Sequence, residues 1–281
     1  MPQSTHIHRP RSDSLRDQLI AFHASFRGLS SQTVTFDLED CVWTYPLMLL
    51  TLSAYLHEHG GSYTAPKEPR VAQYLRDVHF PAGVNRAADV PVGAYTVPIG
   101  FLQETSVQSR EALESRFYDL IRRLTGNVAG ADNAILYPIS ELVGNIFEHS
   151  GKDAGWIFAQ HYPKKRLLDI CIVDTGRGVA QSYTRALGKT MSHGEAIASA
   201  LAGVSAKKAE GGRGYGLSTS QRVVCEALHG QFFFLTGDSV FFNTGRHSSI
   251  VQLPDFSWDG VIIAYQIPYP QGPIDITPYI E

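Results

Sequence analysis

The sequence predicts an α+β fold: a two-layer sandwich of helices on a sheet, preceded by a small α/β unit. Three observations predict it. Two helical patterns follow one another between residues 110 and 148. Two apolar, strand-like runs come next, at 155–161 and 167–173, joined only by a Pro-Lys-Lys turn. After a glycine-rich stretch and further helical patterns, three more strand-like runs close the chain. Helices and strands thus come in blocks and not in strict βαβ alternation.

Composition sets the frame. The chain has 281 residues, enough for one large domain or two small ones with a well-buried core. Hydrophobic residues make up 43% and charged residues 18%, which fits a globular protein and not a disordered one. The net charge of −3, with no basic stripe, argues against nucleic acid as the main ligand. Cys41, Cys171 and Cys225 are widely spaced and fit neither a disulfide framework nor a zinc site. The N-terminus is polar, without the apolar core of a signal peptide, and no apolar run approaches the ~20 residues of a membrane helix. The expectation is a cytoplasmic chain that does not engage a membrane.

In chain order, 15–26 can form a helix and 33–38 alternates as a half-buried strand. Residues 45–57 read as a helix with Leu47, Leu50 and Ala54 inward and Leu52 and Tyr55 as further candidates, stopped by Gly60-Gly61. A further helix fits 67–78. The stretch 81–98, rich in Pro, Gly and Ala, reads as irregular. A domain boundary is expected at 101–106, giving units 1–104 and 105–281. In the second unit, 110–124 is amphipathic, with Leu113, Phe117, Leu120, Ile121 and Leu124 at helical spacing. A helix over 138–148 is expected to start at Pro138, since proline suits the first helical position. The hairpin follows, then helices over 195–201 and 216–228, and strands over 232–235, 250–253 and 261–267.

Three motifs carry the chemistry. On the 138–148 helix, Glu141 and Asn145 lie one turn apart on a face distinct from the apolar stripe, with His149 a turn beyond. An amide oxygen can bind a hard cation that also holds substrate phosphates. A nearby carboxylate that is not a ligand can deprotonate a water or hydroxyl. Taken alone, such a pair is usually an exposed polar face. Gly144, inside the helix, is a residue that often marks a close approach. The second motif is Asp174-Thr175-Gly176-Arg177-Gly178, at the end of a strand. Its glycines permit positive φ and a ligand close to the backbone, and Asp174 can accept a hydrogen bond from an exocyclic amine such as adenine's. Alone it reads as a tight turn. The third is Gly211-Gly212-Arg213-Gly214-Tyr215-Gly216-Leu217, which opens a helix. Amide groups at a helix N-terminus attract phosphate, yet neither the P-loop ending nor the Gly-x-Gly-x-x-Gly spacing is present. Lys207 and Lys208, just upstream, could reach phosphates or form a solvated charge pair.

The order and spacing of the three resemble the N, G1 and G2 boxes of the GHKL superfamily (gyrase, Hsp-type chaperone, histidine kinase, MutL), over about half the chain. The Glu-x-x-x-Asn-x-x-x-His form looks most like bacterial anti-sigma-type serine kinases. The resemblance implies a Bergerat-type sandwich that binds ATP with Mg²⁺. It implies Glu141 as general base, Asn145 on Mg²⁺ and Asp174 on the adenine amine. Gly176 and Gly178 would shape the adenine pocket, and Gly212, Gly214 and Gly216 would cradle phosphates beside Leu217 and Lys207. Residues 180–210 would be a mobile lid. Asp259-Gly260-Val261 resembles the start of the closing strand, with Gly-Val where Gly-Thr is usual. In the first unit, 33–57 resembles the strand–helix unit of STAS-like domains, without their serine. The function expected is a protein kinase or ATPase coupled to a protein-interaction domain. The alternative is a nucleotide-switched binding module without significant turnover. A protein partner is expected, and a homodimer is compatible with the reading.

Overall fold

The computed structural model describes residues 3–29, 31–90, 97–103, 107–125, 128–204 and 216–280. The first unit alternates strand and helix: β1 (Gln3–His6), α1 (Leu15–Phe26), β2 (Val34–Asp37), α2 (Pro46–His59), β3 (Gly61–Thr64) and α3 (Pro69–Asp77). The three strands pair in parallel in the order β1-β2-β3, with α1 and α2 as crossovers. Ser14 caps α1, accepting the Asp17 N–H through its hydroxyl. Pro46 opens α2 and Gly60, at φ 71°, closes it. Strands β1 and β3 escape a pattern reading because each is only four residues long and carries no alternation of apolar and polar side chains.

The second sheet has seven strands: β4 (Gly100–Gln103), β5 (Ala154–Tyr162), β6 (Leu167–Asp174), β7 (Gln231–Gly237), β8 (Ser239–Asn243), β9 (Ser248–Gln252) and β10 (Trp258–Pro268). Their order is β4-β5-β6-β10-β7-β8-β9, each pair antiparallel. The division expected at 104 falls just past β4, so β4 lies before it and pairs with β5 after it. The helices are α4 (Val107–Thr125), α5 (Ala131–His149), α6 (Gly178–Leu187), α7 (His193–Leu201) and α8 (Gly216–Arg222). A π-helical turn, Val223–Ala227, continues α8.

One correction concerns a helix. α5 begins at Ala131, not at Pro138, which lies inside the helix. Ala131, Ala134 and Ile135 extend the buried stripe backwards, and tertiary packing there outweighs the roughly 3 kcal/mol that an interior proline costs. Of residues 180–210, expected as a mobile lid, 180–204 are described and carry most of α6 and all of α7. Ala180, Tyr183 and Ala196 bury between them, and a Ser192–Glu195 capping box starts α7.

Both faces of the large sheet are covered. On one face Ile170, Ile172, Phe232, Phe234 and Ile263 pack with Leu113, Phe117, Ile139 and Leu142 from α4 and α5. On the other, Cys171, Val173, Phe233, Leu235 and Trp156 share a core with Phe22 of α1, Phe36 of β2 and Leu47–Leu50 of α2. α2 is therefore buried all round: every residue from Pro46 to Tyr55 is inside. A buried carboxyl stands in this second core. Asp169 of β6 accepts from Gln18 of α1 at 3.1 Å and Gln266 of β10 at 2.8 Å. Burial pushes its carboxyl up to about 6, against the pull of those amides and Tyr162.

Candidate nucleotide site

The site forms where β6 ends and α5 and α8 meet. A cavity of about 320 Å³ opens there, bordered by Glu141, Asn145, Asp174, Gly178, Gly216 and Leu217 among others. That volume is at the small end for ligand sites. Apolar side chains Leu142, Ile172, Phe234 and Ile263 make much of its wall.

Two segments far apart in sequence converge because of element ends. α5 turns its apolar stripe into the core, which leaves Glu141 and Asn145 half-buried along the cavity. β6 delivers Asp174 as its last residue, on the cavity face with Ile172. Asp174 is 5% exposed. Burial pushes its carboxyl up to about 7, offset in part by backbone N–H groups of Gly176 and Val261. The Gly176 N–H donates to Oδ1 at 2.8 Å. A carboxylate has about four acceptor positions, so capacity remains for a ligand donor.

The glycines each have a reason. A Cβ on Gly176 would strike Ser150, at the end of α5. Gly178 has φ 69°, and its Cβ would stand 2.7 Å from the Thr236 hydroxyl. At Gly216 a Cβ would stand 2.5 Å from Glu141 Oε2, so the Glu141 carboxylate lies against the start of α8. Tyr137, one turn before Glu141, hydrogen-bonds Thr219 of α8; burial and the Glu141 charge raise its phenol. Gly144, by contrast, has open space where a Cβ would be, so it marks no close approach among the described residues. Gly212, Gly214, Lys207 and the rest of 205–215 lie outside the described residues.

The pattern reading passed over Thr236 and Trp258, and named Gly260 only by its likeness to the closing strand. Gly260, at φ 109°, leaves no room for a Cβ beside Asp174 and the Gly176 nitrogen. Thr236 of β7 donates its hydroxyl to the Gly260 carbonyl at 2.8 Å and accepts the Val179 N–H at 3.2 Å. It is paired across the ladder with Val261, the residue standing where threonine is usual in the closing strand. Trp258 Nε1 donates to the Asp174 carbonyl at 2.9 Å. A lone threonine in the run Phe232–Leu235–Thr236 was the available signal.

His149 closes α5 at the cavity, 3.8 Å from Glu148, and its carbonyl accepts from Ser182 of α6. Among the described residues no three His, Cys, Asp or Glu side chains gather as a metal site. A cation at Asn145 would therefore draw most of its ligands from phosphate and water, as Mg²⁺ commonly does.

Residues 131–254 match the family described as histidine kinase-, DNA gyrase B-, and HSP90-like ATPase. The match supports the GHKL superfamily. It spans α5 to just past β9 and so contains Glu141, Asn145, Asp174 and the glycine-rich stretch. The GHKL-like segment indicates ATP binding. No curated protein matches the chain. No helix of the described residues is long and apolar enough to cross a membrane.

Proposed function

We propose that the protein binds ATP with Mg²⁺ in this cavity and acts as a protein kinase or ATPase, coupled to the first unit as a protein-interaction domain of STAS-like kind. The observation that carries the proposal is the convergence of Glu141, Asn145 and Asp174 on one cavity, inside the GHKL-like segment. In this reading the Asp174 carboxylate accepts the exocyclic amine of adenine. The apolar wall takes the base, and the Asn145 amide oxygen binds the cation. Gly216 and Leu217, with Gly212, Gly214 and Lys207, hold the phosphates. Mg²⁺, when bound, supplies positive charge against the phosphate oxygens. Glu141 accepts the proton of an attacking water or hydroxyl. The chain acts in the cytoplasm, and a protein partner reads its nucleotide state.

One observation favours the second reading, a switch without significant turnover. The Glu141 carboxylate rests against the start of α8, where it also serves as a link between α5 and α8. Assays of nucleotide binding and phosphate release on wild type and Glu141→Gln separate the two. Removing a general base costs about 10²–10⁴-fold in rate, so the enzyme reading expects binding kept and release lost in Glu141→Gln. Wild type that binds without releasing phosphate supports the switch. Unchanged binding and release in the variant would leave Glu141 without a catalytic role.

A further inference from the structure

The two loops that frame the cavity are tied together from behind by a residue of the first unit. Glu58 lies in the last turn of α2, on the face of the sheet opposite α5. Its Oε1 accepts from the Lys152 ammonium at 2.6 Å, in the loop between α5 and β5. Its Oε2 accepts from the Thr175 hydroxyl at 3.0 Å, in the turn between β6 and α6. Those loops also touch directly. The Arg177 N–H donates to the Ser150 carbonyl at 2.9 Å, and Gly176 packs on Ser150. The neighbouring His57 fixes the turn that carries Glu58: its ring lies 4.7 Å from Phe101 and 5.4 Å from Trp156, on β4 and β5. One carboxylate thus spends one oxygen on each loop.

We infer that Glu58 is a positioning residue of the nucleotide site: by holding the Thr175 turn and the Lys152 loop together, it makes nucleotide affinity depend on how α2 seats on the sheet. The inference rests on the ATP reading above for its consequence, though not for the clamp itself. The Glu58 and Lys152 side chains keep 30% and 42% of their exposure. Such a pair contributes little to global stability, so a merely structural role would show as a small change in melting and nothing else. A positioning role shows locally, in residues that never touch α2's own core. Seating of α2 is open to change by whatever engages the first unit, which gives a partner there a route to the nucleotide.

The test uses the full chain. Hydrogen exchange of 150–153 and 174–178 is measured without nucleotide, and affinity for a non-hydrolysable ATP analogue by calorimetry. Glu58→Ala is expected to raise exchange in both loops and to weaken affinity about three- to tenfold, the range of such indirect couplings. Glu58→Gln keeps an acceptor for Thr175 and loses the charge that holds Lys152, so it frees 150–153 and leaves 174–178 protected. Unchanged exchange in Glu58→Ala overturns the clamp. Raised exchange with unchanged affinity, in a protein that binds the analogue, overturns the positioning role. If wild type itself does not bind the analogue, the ATP reading falls and takes the affinity effect with it, while exchange still decides the clamp. Should Glu58→Ala not fold, Thr175→Val and Lys152→Met probe each arm separately.

Discussion

Asp174 sets a pH dependence of two kinds. Its folded pKa of about 7 stands above the unfolded value of about 3.9. The native state therefore holds a proton that the unfolded chain has lost between those values, and this group's contribution to stability falls as pH rises through that window. Asp169 acts in the same sense up to about 6. His161, whose pKa burial lowers, acts in the opposite sense, and Glu58 and Asp238, both lowered, change only at more acid pH. The difference between wild type and Asp174→Asn isolates the term. In urea unfolding without nucleotide, wild type is expected to lose more stability than Asp174→Asn between pH 5 and 8. Equal losses would mean the burial of this carboxyl is not felt. Ligand binding runs the other way. If adenine's amine needs the ionised carboxylate, adenosine affinity should rise about tenfold from pH 6 to 8 in wild type. In Asp174→Asn calorimetry should find it weak and flat. The pair Glu141 and Asn145 was visible by spacing and Asp174 by its place at a strand end. Thr236 was not, because its role lies across a β ladder that no local pattern specifies.

The helix α2 shows how much of an element the sequence carries. Its existence follows from Pro46, an unbroken apolar run and Gly60. Its environment was read only in part: an inward face of Leu47, Leu50 and Ala54, with Leu52 and Tyr55 as further candidates, was expected, whereas Met48 and Leu49 are as deeply buried. The signal was present in its partner. In β6 both Ile170 and Ile172 on one face and Cys171 and Val173 on the other are apolar, a pattern of sheets covered on both sides. Phe232–Leu235 of β7 reads likewise. Leu49→Ala leaves a cavity between α2 and the sheet and is expected to cost about 2–5 kcal/mol in denaturant unfolding. A loss below about 0.5 kcal/mol would place Leu49 at a surface, where changes are that small.

At the scale of the molecule, the second core joins the first unit to the sheet of the GHKL-like segment. Residues from α1, β2 and α2 cover Trp156, Phe158, Cys171, Val173, Phe233 and Leu235. The two-unit division read from the sequence gave the order of elements; it could not show this shared interior, which depends on contacts between residues more than a hundred positions apart. A chain lacking residues 1–97 keeps β4 but bares that apolar face. It is expected to bind a hydrophobic dye and to self-associate on a sizing column. A truncated chain that stays monomeric and dye-free would mean that the sheet tolerates solvent on this side.

Synthesis order gives α2 a waiting time. The helix is complete at His59, but the strands that roof it are β5, β6 and β10, the last ending at Pro268. Roughly 200 residues separate the two, and at about 5–20 residues per second the ribosome needs on the order of 10–40 s to make them. Throughout that interval, ten consecutive buried positions of α2 have no sheet to lie on. The first unit leaves the ribosome as a sticky nascent chain whose proper cover has yet to be translated. Productive folding of this protein thus favours slow release or a holding chaperone early in synthesis.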